Sequence, residues 1–271
     1  MNENGITEYT MGAEGYTRPT AAIRRLVRAL DTAAHRRREG AFVAEGDKCV
    51  CDTFDAFGCR ILIGRRQWLV AHHDMCARAD AVYCADNADM ERMSLLKSPR
   101  DVIAVYNIPD DTSLPDSMSM GLVVALDHIQ DPGNLGTIIR MCDWMGVCDI
   151  IASKGTVDVF SPKVVQATMG SIARVRVHYT DLIPQLQRLS AAGVPIYGTD
   201  MDGESVYSAE LPANAVIVMG NEGRGMSEDV RVCLTNSISI PPYPGDTSTA
   251  ESLNVAVAAS VIVAEWRRRM R

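Results

Sequence analysis

The chain has 271 residues and a net charge of -7, from 27 Lys and Arg against 34 Asp and Glu, so its overall field excludes indiscriminate binding of nucleic acid and leaves that role to local patches. No apolar run reaches the roughly 18 residues that a spanning helix needs, and a hydrophobic fraction of 47% predicts a soluble protein of about two domains. Eight dispersed cysteines and a polar, acidic N-terminus with no apolar core predict free thiols, no secretory signal and a cytoplasmic location.

Residues 1 to 20 read as a mobile tail. Between 21 and 40 lie Arg24, Arg25, Arg28, Arg36, Arg37 and Arg38 against only Asp31 and Glu39, a local sum of +4 on a predicted helix from about 21 to 38. Guanidinium groups pair bidentately with phosphate, so these six arginines are candidates to face RNA; solvated helix faces are the plainer reading. Strand patterns follow at AFVAEG, CRILIG, AVYCA and DVIAVYNI. Helical patterns fall at DKCVCDTFDAF, QWLVAHHDMCARA and NADMERMSLLKS. Cys49, Cys51 and the pair His72 and His73 lack the CxxC spacing of a metal site, so no metal is expected. The Pro-, Asp- and Ser-rich stretch 109 to 120 reads as a linker.

Beyond it, GLVVALDHI, CDIIAS, ARVRVHY, VPIYGTD, NAVIVMG and NSISIP are almost continuously apolar, as strands covered on both faces require. Helical patterns intervene at LGTIIRMCDWMG, SPKVVQATMGSIA, LIPQLQRLSAAG and SEDVRVCL, which predicts an α/β fold with a mostly parallel sheet. GNEGRG is not a dinucleotide fingerprint. The chain also lacks the phosphate-binding loop, HExxH and GxSxG motifs.

Three runs place glycine and polar residues against apolar segments: NLGTIIR (134 to 140), VMGNEGRGMS (218 to 227) and IPPYPGDTSTAESLNVAVAAS (240 to 260). Backbone free to approach a ligand at strand ends is what a cofactor pocket requires. Within them Asn134 is placed to cap a helix after Asp131, Pro132 and Gly133, and Ser252 to cap a second helix from about 253 to 268. Arg140 sits in an amphipathic run, where snorkelling would also account for it.

In order and content these runs resemble the three motifs of the SpoU (TrmH-like) RNA 2'-O-ribose methyltransferases of the SPOUT superfamily. The resemblance implies a trefoil-knotted methyltransferase domain over 121 to 271, preceded over 21 to 108 by a smaller α/β RNA-binding domain resembling a ribosomal-protein fold. It implies S-adenosylmethionine as cofactor, RNA (ribosomal before transfer RNA) as substrate, a homodimer and no membrane partner. Arg140 would be the catalytic centre, with Asn134, Glu222, Ser252 and Asn254 aligning it and the substrate. Val218, Met219, Gly220, Asn221, Ile240 and Leu253 would contact the cofactor. A guanidinium holds its proton throughout the physiological range, so stabilising a developing alkoxide is easier for Arg140 than acting as base. A base-methylating SPOUT enzyme and a non-catalytic RNA-binding assembly factor are the alternatives.

Overall fold

The computed structural model describes residues 16 to 109, 121 to 243, 250 and 252 to 270. The expected linker, apart from residue 109, lies outside the described residues, as do residues 1 to 15 and 244 to 249. Residues 16 to 20 are anchored rather than loose. The Thr17 carbonyl accepts the Cys84 amide at 3.0 Å, and Arg18 donates to Asp89 at 2.7 Å.

The basic N-terminal stretch forms two helices, α1 (Ala21–Ala29) and α2 (Ala33–Glu39), where one was expected; the Thr20 and Thr32 hydroxyls cap them separately. Next come β1 (Ala41–Glu45), α3 (Asp47–Thr53), β2 (Cys59–Gly64), α4 (Arg66–Ala71), α5 (His73–Arg78), β3 (Val82–Cys84), α6 (Asn87–Met93) and β4 (Val102–Asn107). The helix expected over QWLVAHHDMCARA breaks at His72, whose backbone leaves helical geometry at φ -124°, ψ 42°. The four strands form a sheet in the order β1-β4-β2-β3, in which β4 runs antiparallel to both neighbours and β3 parallel to β2.

The second half comprises β5 (Leu122–Leu126), α7 (Pro132–Trp144), β6 (Asp149–Ser153), α8 (Pro162–Thr168), β7 (Arg176–Thr180), α9 (Leu182–Ala191), β8 (Ile196–Ser205), β9 (Ala215–Met219), α10 (Glu228–Arg231), β10 (Asn236–Ser239) and α11 (Val255–Arg269). Its six strands pair in parallel in the order β10-β8-β9-β5-β6-β7. Every residue of β5 and β9 is buried, as the apolar runs required. From β5 the chain steps outward to β6 and β7, then crosses back to β8 and β9. The reversal puts a switch point beside β5 and β9, where ligands bind at the C-terminal strand ends of such sheets.

The two sheets share one apolar core. Phe42 of β1 lies 4.8 Å, ring to ring, from Phe160 ahead of α8 and 5.0 Å from Phe57, and buried residues of α7, α8 and α11 continue the cluster. Helix α7 reaches α8 because residue 136 is glycine: a Cβ there would lie 2.3 Å from the Ala167 Cβ.

Arg36, expected to face RNA, is 2% exposed and points inward. Its guanidinium donates to Asp158 at 2.6 Å and to the Leu30 and Asp31 carbonyls at 2.9 and 2.8 Å, so burial of a charge is balanced by pairing. Arg24 is partly committed to Asp89 and the Pro19 carbonyl, and Arg28 to the Ser94 carbonyl. Arg38 pairs with Glu39, while Arg25 and Arg37 lie on the surface.

The arginines that end α11 also bind protein groups. Arg267 donates to the Met145 and Gly146 carbonyls, and Arg268 and Arg269 both reach Glu265. The hydrogen bonds from Arg268 and then Arg269 lower the Glu265 carboxyl from its ordinary 4.5 to about 2. A depressed carboxyl contributes its stability above the unfolded value and loses it as the pH falls through the folded one. The melting-temperature difference between wild type and Glu265→Gln should therefore hold steady above about pH 5 and vanish towards about pH 2. A difference that persists at pH 2 would show that the ion pairs do not set it.

Candidate active site

The three motif runs meet at the C-terminal ends of β5, β9 and β10. Asp131, not Asn134, caps α7: its carboxylate accepts the Asn134 amide at 2.8 Å, with Pro132 in the first turn. That frees the Asn134 side chain, whose amide donates to Glu222. Asn254, not Ser252, caps α11, its Oδ1 accepting from the Ala256 and Val257 amides at 3.0 and 3.3 Å. The Asn254 amide group donates to both Asn134 Oδ1 and Glu222 Oε1 at 2.9 Å. Three side chains from residues 134, 222 and 254 thus form a closed triangle of hydrogen bonds, fixed at two corners by a helix start.

Glu222 lies in a tight loop, 220 to 227, held by paired backbone bonds between Asn221 and Gly225 at 2.9 and 2.8 Å. Asn221 braces this loop with its side chain: Oδ1 accepts from Gly223 and Arg224, and Nδ2 donates to the His128 carbonyl at 2.8 Å. Gly225 takes φ +68°, and a Cβ on Gly220 would lie 2.4 Å from the Met226 backbone nitrogen. Gly220→Ala should therefore force the loop open, cost about 1 to 3 kcal/mol of stability and weaken cofactor binding. Thermal unfolding together with cofactor titration would check this, and an unchanged affinity would mean that the loop does not shape the cleft.

Beside the triangle opens a cleft of about 610 Å³. Met219, Ile238, Ile240, Leu253 and Val255 supply its apolar walls; Thr199, Asp200, Gly220, Asn221 and Ser252 supply polar groups. A second cavity of about 250 Å³, lined by Gln130, Asp131 and Asn134, shares Asn221, Glu222 and Val255 with the first. Glu222 stands where the two meet.

Of the expected cofactor residues, Met219, Gly220, Asn221, Ile240 and Leu253 line the cleft. Val218 does not: it is fully buried in the sheet, and its carbonyl accepts the Thr199 hydroxyl at 3.0 Å. Ser252 lines the cleft although it caps nothing. Arg140 is not joined to the triangle. Six positions beyond Asn134 on α7, it turns to the exposed face with Thr137 and Trp144, the last 87% exposed.

Sequence reasoning missed Thr199, Asp200, Met201 and Arg231. Pairing of β10 with β8 jumps from Gly198 to Glu204, so residues 199 to 203 drop out of that ladder, and Thr199, Asp200 and Met201 line the cleft. Asp200 pairs there with Arg231, whose hydrogen bond holds the carboxyl below its usual range. Also unforeseen is Asp127, 2% exposed, which accepts the Ser227 amide at 2.7 Å and so ties the end of β5 to the loop after β9.

A mostly parallel α/β sheet with this cleft is the fold of SpoU/TrmH methyltransferases. A putative RNA methyltransferase of the TrmH family from Porphyromonas gingivalis superposes with a TM-score of 0.83 at 38% identity, covering 92% of this chain and 98% of that one. An AdoMet-bound rRNA methyltransferase from Sinorhizobium meliloti gives 0.81 at 28%, covering 94% and 97%. Among curated proteins, 23S rRNA (guanosine(2553)-2'-O)-methyltransferase RlmP of Bacillus subtilis is 32% identical over 173 residues, 63% of this chain and 66% of that protein, just under two thirds of its length. Residues 121 to 264 match the SpoU rRNA Methylase family, and the chain belongs to it.

Proposed function

We propose that this protein transfers a methyl group from S-adenosylmethionine to a ribose 2'-hydroxyl of RNA, with ribosomal RNA as the substrate class. The triangle of Asn134, Glu222 and Asn254, set between two adjoining cavities, carries this reading. The larger cleft fits the cofactor: its volume suits a nucleoside-sized ligand, its apolar walls suit an adenosine, and the Gly220 backbone that lines it suits polar contacts. The cofactor supplies an electrophilic methyl group. The protein's part is to hold the ribose oxygen in line and stabilise its charge as the proton leaves. The smaller cavity receives the ribose beside Asn134 and Glu222, and Asn254 holds both of those side chains in place.

Arg140 acts in this scheme across a homodimer. Its exposure on α7, together with the exposed Trp144 of that helix and the half-exposed Val257 of the neighbouring α11, supports an isologous interface that brings it to the partner's cleft. Residues 121 to 271 would form the catalytic unit, knotted as in the family, and residues 21 to 108 the RNA-binding unit of ribosomal-protein type. Arg25, Arg37 and Arg38 remain the exposed candidates for phosphate contact there, and the setting is the cytoplasm.

The test is methyl transfer from labelled S-adenosylmethionine to ribosomal RNA, followed by mass analysis of the nucleosides. A 2'-O-methyl ribose is the expected product. A methyl on the base would make this a base-methylating enzyme, and the absence of transfer to ribosomal or transfer RNA would favour an assembly factor.

A further inference from the structure

Asp47 and Cys51 stand four residues apart on α3, on one face of the helix, and His72 at the break between α4 and α5 faces them. One ligating atom from each, a carboxylate oxygen, a thiol sulfur and an imidazole nitrogen, lies within 4.8 Å of the others. Asp47 Oδ1 is 3.5 Å from His72 Nε2 and 3.7 Å from Cys51 Sγ. A tetrahedral zinc-class ion, with bonds of about 2.1 Å to nitrogen and oxygen and about 2.3 Å to sulfur, sets such pairs about 3.4 Å and about 3.6 Å apart. Asp47 thus stands at metal-bound spacing from both partners, and the Cys51 and His72 atoms lie within 4.8 Å of each other.

The surroundings orient the same atoms. His72 Nδ1 lies 2.9 Å from the Trp68 carbonyl, which only accepts, so Nδ1 carries a proton and Nε2, on the side of Asp47, is the ring atom left to bind an ion. The Trp68 indole donates to Asp47 Oδ1 at 2.6 Å, and its ring stacks on His72 at 4.0 Å and 13°. A hydrogen bond on the far nitrogen of a histidine and another on the carboxylate are the outer contacts that fix metal ligands. The Asp47 side chain is 63% exposed and that of His72 28%, so an ion has access and a water can complete its coordination.

We propose that Asp47, Cys51 and His72 bind a divalent, thiol-seeking cation of the zinc class, which ties α3 to the break between α4 and α5. The site is separate from the catalytic cleft and has a structural role. On binding, the Cys51 thiol loses its proton to solvent as the sulfur–metal bond forms, so each ion taken up releases one proton.

The experiment uses the full chain, stripped with a chelator and titrated with Co²⁺ as the probe. One Co²⁺ per chain should raise the near-ultraviolet thiolate-to-cobalt band with the visible bands of a tetrahedral ion, and Zn²⁺ should displace it. Cys51→Ser, nearly isosteric at a partly exposed position, should abolish the ultraviolet band. Cys148→Ser, at an exposed thiol elsewhere, should leave it intact. Trp68→Phe keeps the packing but removes the indole donor, and should weaken binding about 10- to 100-fold. Circular dichroism of each variant separates loss of ligand from loss of fold. No charge-transfer band in the wild type would reduce the cluster to an ordinary polar contact between His72 and Asp47, and a band surviving in Cys51→Ser or lost in Cys148→Ser would place the metal elsewhere; either overturns the proposal.

Discussion

Arg140→Ala is expected to fold and bind cofactor as the wild type does, yet to lose methyl transfer by about a hundredfold to a thousandfold, the usual effect of deleting one electrostatic stabiliser of a developing oxyanion. Its side chain neither lines the cleft of its own chain nor packs in the core, so neither cofactor affinity nor melting temperature has reason to move. Arg140→Lys should recover little, because lysine keeps the charge but lacks the planar fork that can bind two oxygens at once. Single-turnover methylation measured beside cofactor affinity separates the two effects. A mixing experiment adds the geometry. If Arg140 serves the partner's cleft, combining Arg140→Ala subunits with subunits disabled at Gly220 should regenerate part of the activity, since one cleft of the mixed dimer would have both parts intact. Near wild-type turnover in Arg140→Ala would leave a surface arginine on an amphipathic helix.

How far the sequence revealed this arrangement depended on the range of the interactions involved. The strands of the parallel sheet were legible because both of their faces are buried, so runs such as LVVAL and AVIVM carry no polar interruption. Asn134, Glu222 and Asn254 were found through their motifs, but their caps were misassigned. Asp131 and Asn134 both suit the start of α7, as Ser252 and Asn254 suit that of α11, and only the fold decides which side chain turns inward and which meets Glu222. The break in pairing at residues 199 to 203 was invisible because the register of β8 is set by β10, more than thirty residues later. Cys51 and His72 each looked isolated for the same reason: Asp47 joins them only once the fold brings the break after α4 to α3.

Arg36 is where local reading failed most plainly. Within RRRE it has the context of its exposed neighbours Arg37 and Arg38, and its partner Asp158 lies 122 residues away. Arg36→Ala should destabilise the protein by about 3 kcal/mol, lowering the melting temperature by about 5 to 10 °C. The variant strands the carbonyls of Leu30 and Asp31 without their donor and leaves Asp158 without its counter-charge. Asp158 keeps 35% of its side-chain exposure, so water compensates in part and the loss belongs at the low end of the range for broken buried pairs. Arg37→Ala, one residue on, should change stability by less than about 0.5 kcal/mol. The contrast extends to RNA: Arg37→Ala should weaken RNA binding and flatten its salt dependence, whereas Arg36→Ala, assayed below its melting transition, should leave the salt slope unchanged. A slope reduced by Arg36→Ala as much as by Arg37→Ala would mean that the buried guanidinium turns outward to phosphate when RNA binds. In that case the contact with Asp158 is a resting state of the free protein, and the stability difference between the two variants should shrink in the RNA complex.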